Sequence, residues 1–364
     1  VNAIVIGAGV VGCAVAYELA ARGVGVRVLD MRGAGQGATR ASAGVLCPHI
    51  EGHAAALLQL GVRSLALYDA FVERVAGDAH RPIEYRRTGT LEVALAEDEA
   101  ERLQVAARSH TRAGVEHRLL GPREALELEP ALSREVAAAL FIPVHGYIGV
   151  AAFTDVLSAA ARLHGAVLEA GMAARRVTRR RSVVAVETQS ATFEADAVVI
   201  AAGSWSGQIA IEHAPVPVKP VRGQLLHLAA APAEIERVIW GPECYVVPWQ
   251  DGTLLVGATV EDVGFDERAT AAGVRDLLQD ACELLPALYR AEFRGVRVGL
   301  RPATADELPI IGRSSTLPGV YYATGHYRNG VLLAPLTAAA VADLILTGRE
   351  APELAATRPA RFGL

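Results

Sequence analysis

Cysteine is scarce, and its four copies, Cys13, Cys47, Cys244 and Cys282, lie scattered through apolar segments without metal-ligand spacing. That pattern argues against a disulfide framework or a cysteine-based metal centre, and fits reduced thiols in a cytoplasmic protein. Excess positive charge is missing too. A formal charge of −5 and a pI near 6.1 give nucleic acid no electrostatic footing. The basic clusters Arg175-Arg176 and Arg179-Arg180-Arg181 read as solvated turns between strands. The sequence opens directly on a strand pattern without a basic leader, so no signal peptide is expected. The longest apolar run near the end, 330–346, is broken by Pro335 and Asp343 and reads as a buried helix, not a membrane span. No metal cluster and no Ser/His/Asp set stands out. Lysine occurs once, at Lys219, beside many arginines, a bias that reflects genome composition more than function.

What the sequence does have is a glycine turn at its start. The apolar run Ala3 to Ile6 stops at Gly7-Ala8-Gly9-Val10-Val11-Gly12, a helix-forming segment runs from Cys13 to Arg22, and a second strand ends at Asp30. Gly7 allows the tight turn, Gly9 lets a pyrophosphate approach the backbone, and Gly12 lets helix and strand pack closely. The helix N-terminus then offers N–H groups and a positive dipole end to the phosphates. Asp30, 18 residues after Gly12, stands where a ribose hydroxyl acceptor is expected. An acid there disfavours a 2′-phosphate, which leaves FAD or NAD ahead of NADP.

Length suggests about two domains. A small-residue loop, 33–44, containing Thr39-Arg40-Ala41-Ser42-Ala43-Gly44, has little side chain to keep a flat ring away. Apolar spacing predicts one helix over 53–75. From 83 to 140 short strand-like runs flank a charged helix at 97–112. The parallel α/β pattern returns at Gly146, with a helix at 153–163, strands at 166–169 and 175–187, and a buried strand 196–200 ending in Ala201-Ala202-Gly203. Strands dominate 215–300 around a helix at 271–284, and a strand, a glycine turn (Thr324 to Gly330) and a helix close the chain. The expected fold class is α/β: a Rossmann-like (GxGxxG) cofactor domain formed by 1–80, 145–210 and 300–364, with a second, antiparallel-sheet substrate domain formed by 81–144 and 211–299.

Three glycine or alanine turns after apolar strands are more than one nicotinamide cofactor needs, whereas a long cofactor touched by both ends of the chain accounts for all of them. Here the sequence resembles the FAD-dependent amino-acid oxidases of the D-amino-acid oxidase superfamily, and among them the glycine oxidases of thiamine biosynthesis. The resemblance runs nearly end to end. It is carried by the opening glycine turn, Ala41-Ser42-Ala43-Gly44, Arg222-Gly223-Gln224, the run Val256 to Asp266, the run Gly299 to Gly312, and Ala323-Thr324-Gly325-His326-Tyr327-Arg328-Asn329-Gly330.

The resemblance implies FAD contacts at Gly7, Gly9, Val10, Val11, Gly12, Asp30, Met31, Thr39, Arg40, Ser42, Ala43, Gly44, Val177, Ala202, Gly203, Trp205, Arg301, Arg328, Asn329, Gly330, Val331 and Leu332. It also implies that the last helix aims its N-terminus at the pyrimidine end of the flavin, where reduction puts negative charge. On the substrate side it implies Arg301 as carboxylate holder, Tyr245 as an OH donor to that carboxylate, and Arg328 as a further positive group at the mouth. From the residues alone, an ion pair of Arg301 with Asp306 or Glu307 is an equal reading. Sarcosine oxidases bind FAD through a cysteine near the place of Gly299 and carry an oxygen-activating lysine near 254–257; neither residue is present, so FAD is expected to be non-covalent. Trp249 and Arg297 depart from the glycine oxidase pattern and leave the pocket's outer wall open. The implied reaction is oxidative deamination of glycine, small N-substituted glycines or D-amino acids by hydride transfer to FAD, with the imino acid hydrolysed and O2 reduced to H2O2. Three alternatives remain: a dehydrogenase with another acceptor, an oxidase of a larger secondary amine in another pathway, and a flavin-binding subunit without turnover. The expected partners are a small amino acid and O2, with no nucleic acid and no membrane. A homo-oligomer is permitted.

Overall fold

The computed structural model describes residues 1–50, 54–212, 215–229 and 235–364. Its centre is a six-stranded sheet in the order Ile310–Arg313, Val320–Thr324, Ala197–Ile200, Asn2–Ile6, Gly25–Asp30, Val167–Ala170. All neighbours run parallel except the edge strand Ile310–Arg313. A parallel sheet needs cover on both faces, so its central strands are apolar, Asn2–Ile6 being buried at every position after its first. Ala197–Ile200 is accordingly buried at every position.

One face carries the helices Val10–Ala21, Val150–Leu163 and Gly330–Thr347, packed against one another in a shared apolar core. Gly12 makes the close helix–strand contact its position predicts, because a Cβ there would fall on the Gly7 carbonyl. Gly330–Thr347 is long and apolar enough to cross a membrane, yet 67 % of it is buried in the core despite the internal Pro335. It is the buried helix the sequence suggests. The other face is covered by the strands Thr192–Ala195, Val183–Glu187, Arg176–Arg180 and Ala210–Ile211.

The second layer is an eight-stranded sheet, antiparallel apart from the pairing of Val238–Trp240 with Thr90–Ala94. Its long strands Lys219–Ala229 and Glu292–Ala303 pair along their full length, with a bulge at His227/Leu228. The helix expected over 53–75 is instead two, Ala55–Leu65 and Tyr68–Ala79, bent by 46°; residue 53 lies outside the described residues. The break follows a tightened turn in which Leu67 N–H donates to Ser64 O at 3.0 Å, three residues back instead of four. The chain enters each sheet more than once. We propose the discontinuous division 1–80, 145–210 and 300–364 against 81–144 and 211–299 on that basis.

Candidate active site

A cavity of about 820 Å³ lies between the carboxyl ends of the parallel strands and one face of the eight-stranded sheet. At the first end, Gly7 (φ +108°) turns the chain so tightly that a Cβ would strike Ala201. Gly7 N–H donates to Leu29 O and Ala201 N–H to Ile6 O, both at 2.8 Å, so three strand ends converge on one turn. Asp30 closes it. Its Oδ2 accepts from Ala8 N–H at 2.7 Å, and its Oδ1 accepts from the N–H groups of Arg32 and Gly33 at 2.7 and 2.8 Å. Thr39 reaches the start of the first helix, its Oγ1 accepting from Val10 N–H at 3.0 Å.

At the opposite end the eight-stranded sheet supplies the charge. Gly223 and Leu225 share one face of their strand, Leu225 pairs with Gly257, and Gly257 pairs with Tyr245. A Cβ on Gly223 would lie 2.5 Å from the Arg301 guanidinium carbon, and a Cβ on Gly257 would lie 2.6 Å from the Tyr245 hydroxyl. Two glycines thus clear adjacent spaces on one sheet face, and the two functional side chains fill them. Arg301 Nη1 donates to Thr259 O at 2.9 Å and to Arg222 O at 3.3 Å. Asp306, one of the two acids considered for Arg301, bonds Arg361 at 2.7 Å. The Tyr245 ring lies tilted by 33° against Trp240, with centroids 4.8 Å apart.

The last turn completes the wall. Asn329, Gly330, Val331 and Leu332 bring the N-terminus of Gly330–Thr347 to the cavity, with Arg328 exposed at its mouth. His326 is buried, bonds Thr337 Oγ1 through Nε2 at 3.1 Å, and is held neutral by desolvation, which lowers its pKa to about 3. It pins the loop to the helix.

Gly7, Gly9, Val10, Val11, Asp30, Met31, Thr39, Ser42, Ala43, Gly44, Ala202, Gly203, Trp205, Tyr245, Arg301 and Arg328 also line this one cavity. Gly12, Arg40 and Val177 do not. Gly12 packs helix against strand, Arg40 is exposed and bonds Gln36, and Val177 is fully buried in the core behind the sheet. The wall expected from Val177 comes instead from Met172 to Arg175. These four residues follow the strand Val167–Ala170, and ligands gather beyond the carboxyl ends of parallel strands, so that strand was the available signal. Trp240 and Glu243 were missed with no comparable signal.

Trp249 and Arg297 are off the lining as well. They share the face that bears Tyr245 and Arg301: Arg297 stands in the cross-strand row of Leu225, Gly257 and Tyr245, Trp249 two rows further along its strand, and Arg297 lies 4.6 Å over the Trp249 ring. They make a cation–π pair with each other.

The cavity accepts an extended dinucleotide: a glycine cradle and helix N-terminus for a pyrophosphate, a small-residue loop for a flat ring, and a second helix N-terminus for negative charge. The comparisons with known proteins agree. The chain is 34 % identical over 355 residues to the glycine oxidase of Geobacillus kaustophilus, covering 96 % of this chain and 94 % of that one. The crystal structure of glycine oxidase from that organism superposes with a TM-score of 0.94 at 33 % identity, covering 98 % and 97 %. The bifunctional protein ThiO/ThiG of a Nostoc species is 34 % identical over 96 % of this chain, which spans 53 % of that relative. The iminodiacetate oxidase of a Chelativorans species gives a TM-score of 0.90 at 27 % identity, covering 98 % of both chains. The family model for FAD dependent oxidoreductases matches residues 2–344, and the chain belongs to that family.

Proposed function

We propose that this protein oxidises glycine and small N-substituted glycines or D-amino acids, as its likeness to glycine oxidases suggests. The carrying observation is the placement of Arg301 and Tyr245 over Gly223 and Gly257, on the cavity wall opposite the glycine turn. FAD held in the cavity would supply the two-electron acceptor for the α-C–H hydride, with O2 as the final acceptor giving H2O2 and the imino acid hydrolysing to glyoxylate or a keto acid. The glycine turn, Asp30 and Thr39 hold the adenosine and phosphates, and Ala41 to Gly44 border the ring. The N-terminus of Gly330–Thr347 stabilises the charge that reduction brings. Arg301 grips the substrate carboxylate by its planar fork and Tyr245 donates to the same group, which fixes the α-carbon. The amine reacts in its neutral form. His326 is no general base for it, because its imidazole is buried, engaged by Thr337 and depressed to about 3.

Anaerobic bleaching of the flavin by glycine and sarcosine tests the reading. No bleaching by any amino acid in a broad panel would leave a flavin-binding protein without this turnover. A second substrate class is favoured by Arg328, a positive group exposed at the mouth where a second carboxylate would meet it. A panel including iminodiacetate and bulkier secondary amines separates the two. If only large secondary amines react, a place in thiamine biosynthesis falls while the chemistry stands. Turnover with O2 compared with an artificial dye distinguishes an oxidase from a dehydrogenase.

A further inference from the structure

The segment 258–268 has more anchoring than a connection between a strand and a helix requires. Its first residues, Ala258, Thr259 and Val260, line the cavity. It is then tied to the strand Lys219–Ala229 by the buried Arg222, whose Nη2 meets Glu261 at 2.5 Å and whose Nη1 meets Asp266 at 3.2 Å. Gln224 adds a bond from Nε2 to Glu261 Oε1 at 2.7 Å and brackets Thr270 at the far end of the segment. Between these anchors the tip reaches the other sheet. Glu267 takes both Nη groups of Arg32, at 2.9 and 2.7 Å, and the Phe265 ring meets Trp205 at 5.7 Å. The Arg32 guanidinium lies 4.5 Å over the same Trp205 ring.

Arg32 and Trp205 line the cavity beside Asp30 and Gly203, at the end where the glycine turn sits. The tip therefore touches the cavity wall from outside at two adjacent cavity residues, while its root forms the wall near Arg301. Phe265, Val260 and Val263 are 42 %, 52 % and 41 % exposed, so the tip buries little apolar surface of its own. Asp266, between Phe265 and Glu267, holds the tip to Arg222, and the contacts to Arg32 and Trp205 add its link across to the other sheet.

We propose that 258–268 is a strap that retains the cofactor: Glu267 and Phe265 clasp Arg32 and Trp205, and this clasp must open before FAD leaves its adenosine end. The proposal rests on the placement of FAD given above. Arg32 and Trp205 are then positioning residues for the cofactor, held in place by a segment of the substrate-side sheet. Because Arg301 Nη1 donates to Thr259 O at 2.9 Å, the same strap connects the substrate end of the cavity to the adenosine end.

The test is the rate of FAD release from holoenzyme freed of excess flavin, read as the rise in flavin fluorescence after dilution. Glu267→Gln loses an ion pair at the surface, and release speeds up on the order of threefold at low salt. Phe265→Ala loses the ring contact with a similar effect, and Phe265→Trp, which keeps a ring on Trp205, stays near the wild-type rate. Added salt speeds release from the wild type and has less effect on Glu267→Gln. Wild-type release rates in both Glu267→Gln and Phe265→Ala overturn the strap, as does an unchanged salt response in Glu267→Gln. Melting of the apo forms checks that the variants fold. The amino-acid bleaching assay is independent, so a protein that holds FAD but oxidises none of the panel loses the proposed substrate while these rates still decide the strap.

Discussion

At the scale of single residues, the site depends as much on what two glycines leave out as on what Arg301 and Tyr245 bring. Arg301→Ala removes both the charge and the fork, and should lower kcat/KM on the order of 10²-fold, about 2.7 kcal/mol, while FAD stays bound. Arg301→Lys should fall between, since it keeps charge without two-point geometry. Gly223→Ala tests the same assignment without touching the arginine. Its added methyl would sit 2.5 Å from the guanidinium, which is the flexible end of its side chain and can swing away. The expected result is a kcat/KM loss on the order of tenfold or more with little change in Tm; wild-type kinetics in Gly223→Ala would show that Arg301 does not need its present place. His326→Ala should reduce kcat/KM less than Arg301→Ala, and a dead enzyme with bound FAD would make the histidine a base. Arg301 and Arg328 were legible because they stand in the long sequence blocks that carry the resemblance, whereas Tyr245 lies outside those blocks and was named only as a position the resemblance implies. The purpose of Gly223 was not legible, since the side chain it makes room for belongs to the neighbouring strand and only the pairing register reveals it. The same register sets Arg297 in the row of Leu225, Gly257 and Tyr245, a neighbourhood the sequence left open for the pocket's outer wall.

At the scale of elements, the glycine turn and the two cavity-facing helix N-termini were readable because each needs particular residues at fixed offsets. What the sequence could not show was the meeting of side chains from separate elements. Four histidines from three segments form such a cluster: His49 stacks on His145 at 5.1 Å, His110 stands 5.9 Å from His49, and His117 stands 5.7 Å from His110. His49 Nδ1 and His145 Nε2 are 2.9 Å apart, a bond that needs one donor and one acceptor and cannot survive two added protons. Burial, like-charged ring neighbours and Arg87 beside His145 lower the pKa values of His49, His110 and His145, that of His49 to about 4 and that of His145 well below the ordinary 6.5. The folded state thus binds fewer protons than the unfolded chain. Its histidine contribution to stability is complete above about pH 6.5 and is lost as pH falls toward 4. We expect Tm to drop across pH 6.5 to 4.5, before most carboxylates titrate, and expect His49→Gln to flatten that slope. A wild-type Tm that is level through this window would mean the cluster opens at no cost.

At the scale of the whole molecule, alternation of α/β and strand-rich stretches told the reader that two sheets are built from interleaved pieces of one chain. It could not tell how their faces meet, because that is decided by contacts hundreds of residues apart in sequence. The strand Glu292–Ala303 shows the consequence. Gly299 faces the cofactor loop, and a Cβ there would approach Ala41 Cβ to 2.7 Å and Ala38 to 3.3 Å. The place where related enzymes carry an attachment cysteine is therefore filled by the neighbouring loop, which adds a packing reason for non-covalent FAD. A cofactor lodged between the two sheets and joined to neither by a bond stabilises the folded state by mass action alone. At a free FAD concentration about 100 times Kd the gain is about 2.7 kcal/mol. Apo protein should melt below holo protein, Tm should climb with added FAD, and acid or heat should release intact FAD into solution. The last two measurements cut in different directions: a Tm indifferent to FAD would remove the cofactor from between the sheets, whereas flavin left on the denatured polypeptide would show a covalent link and overturn the non-covalent reading.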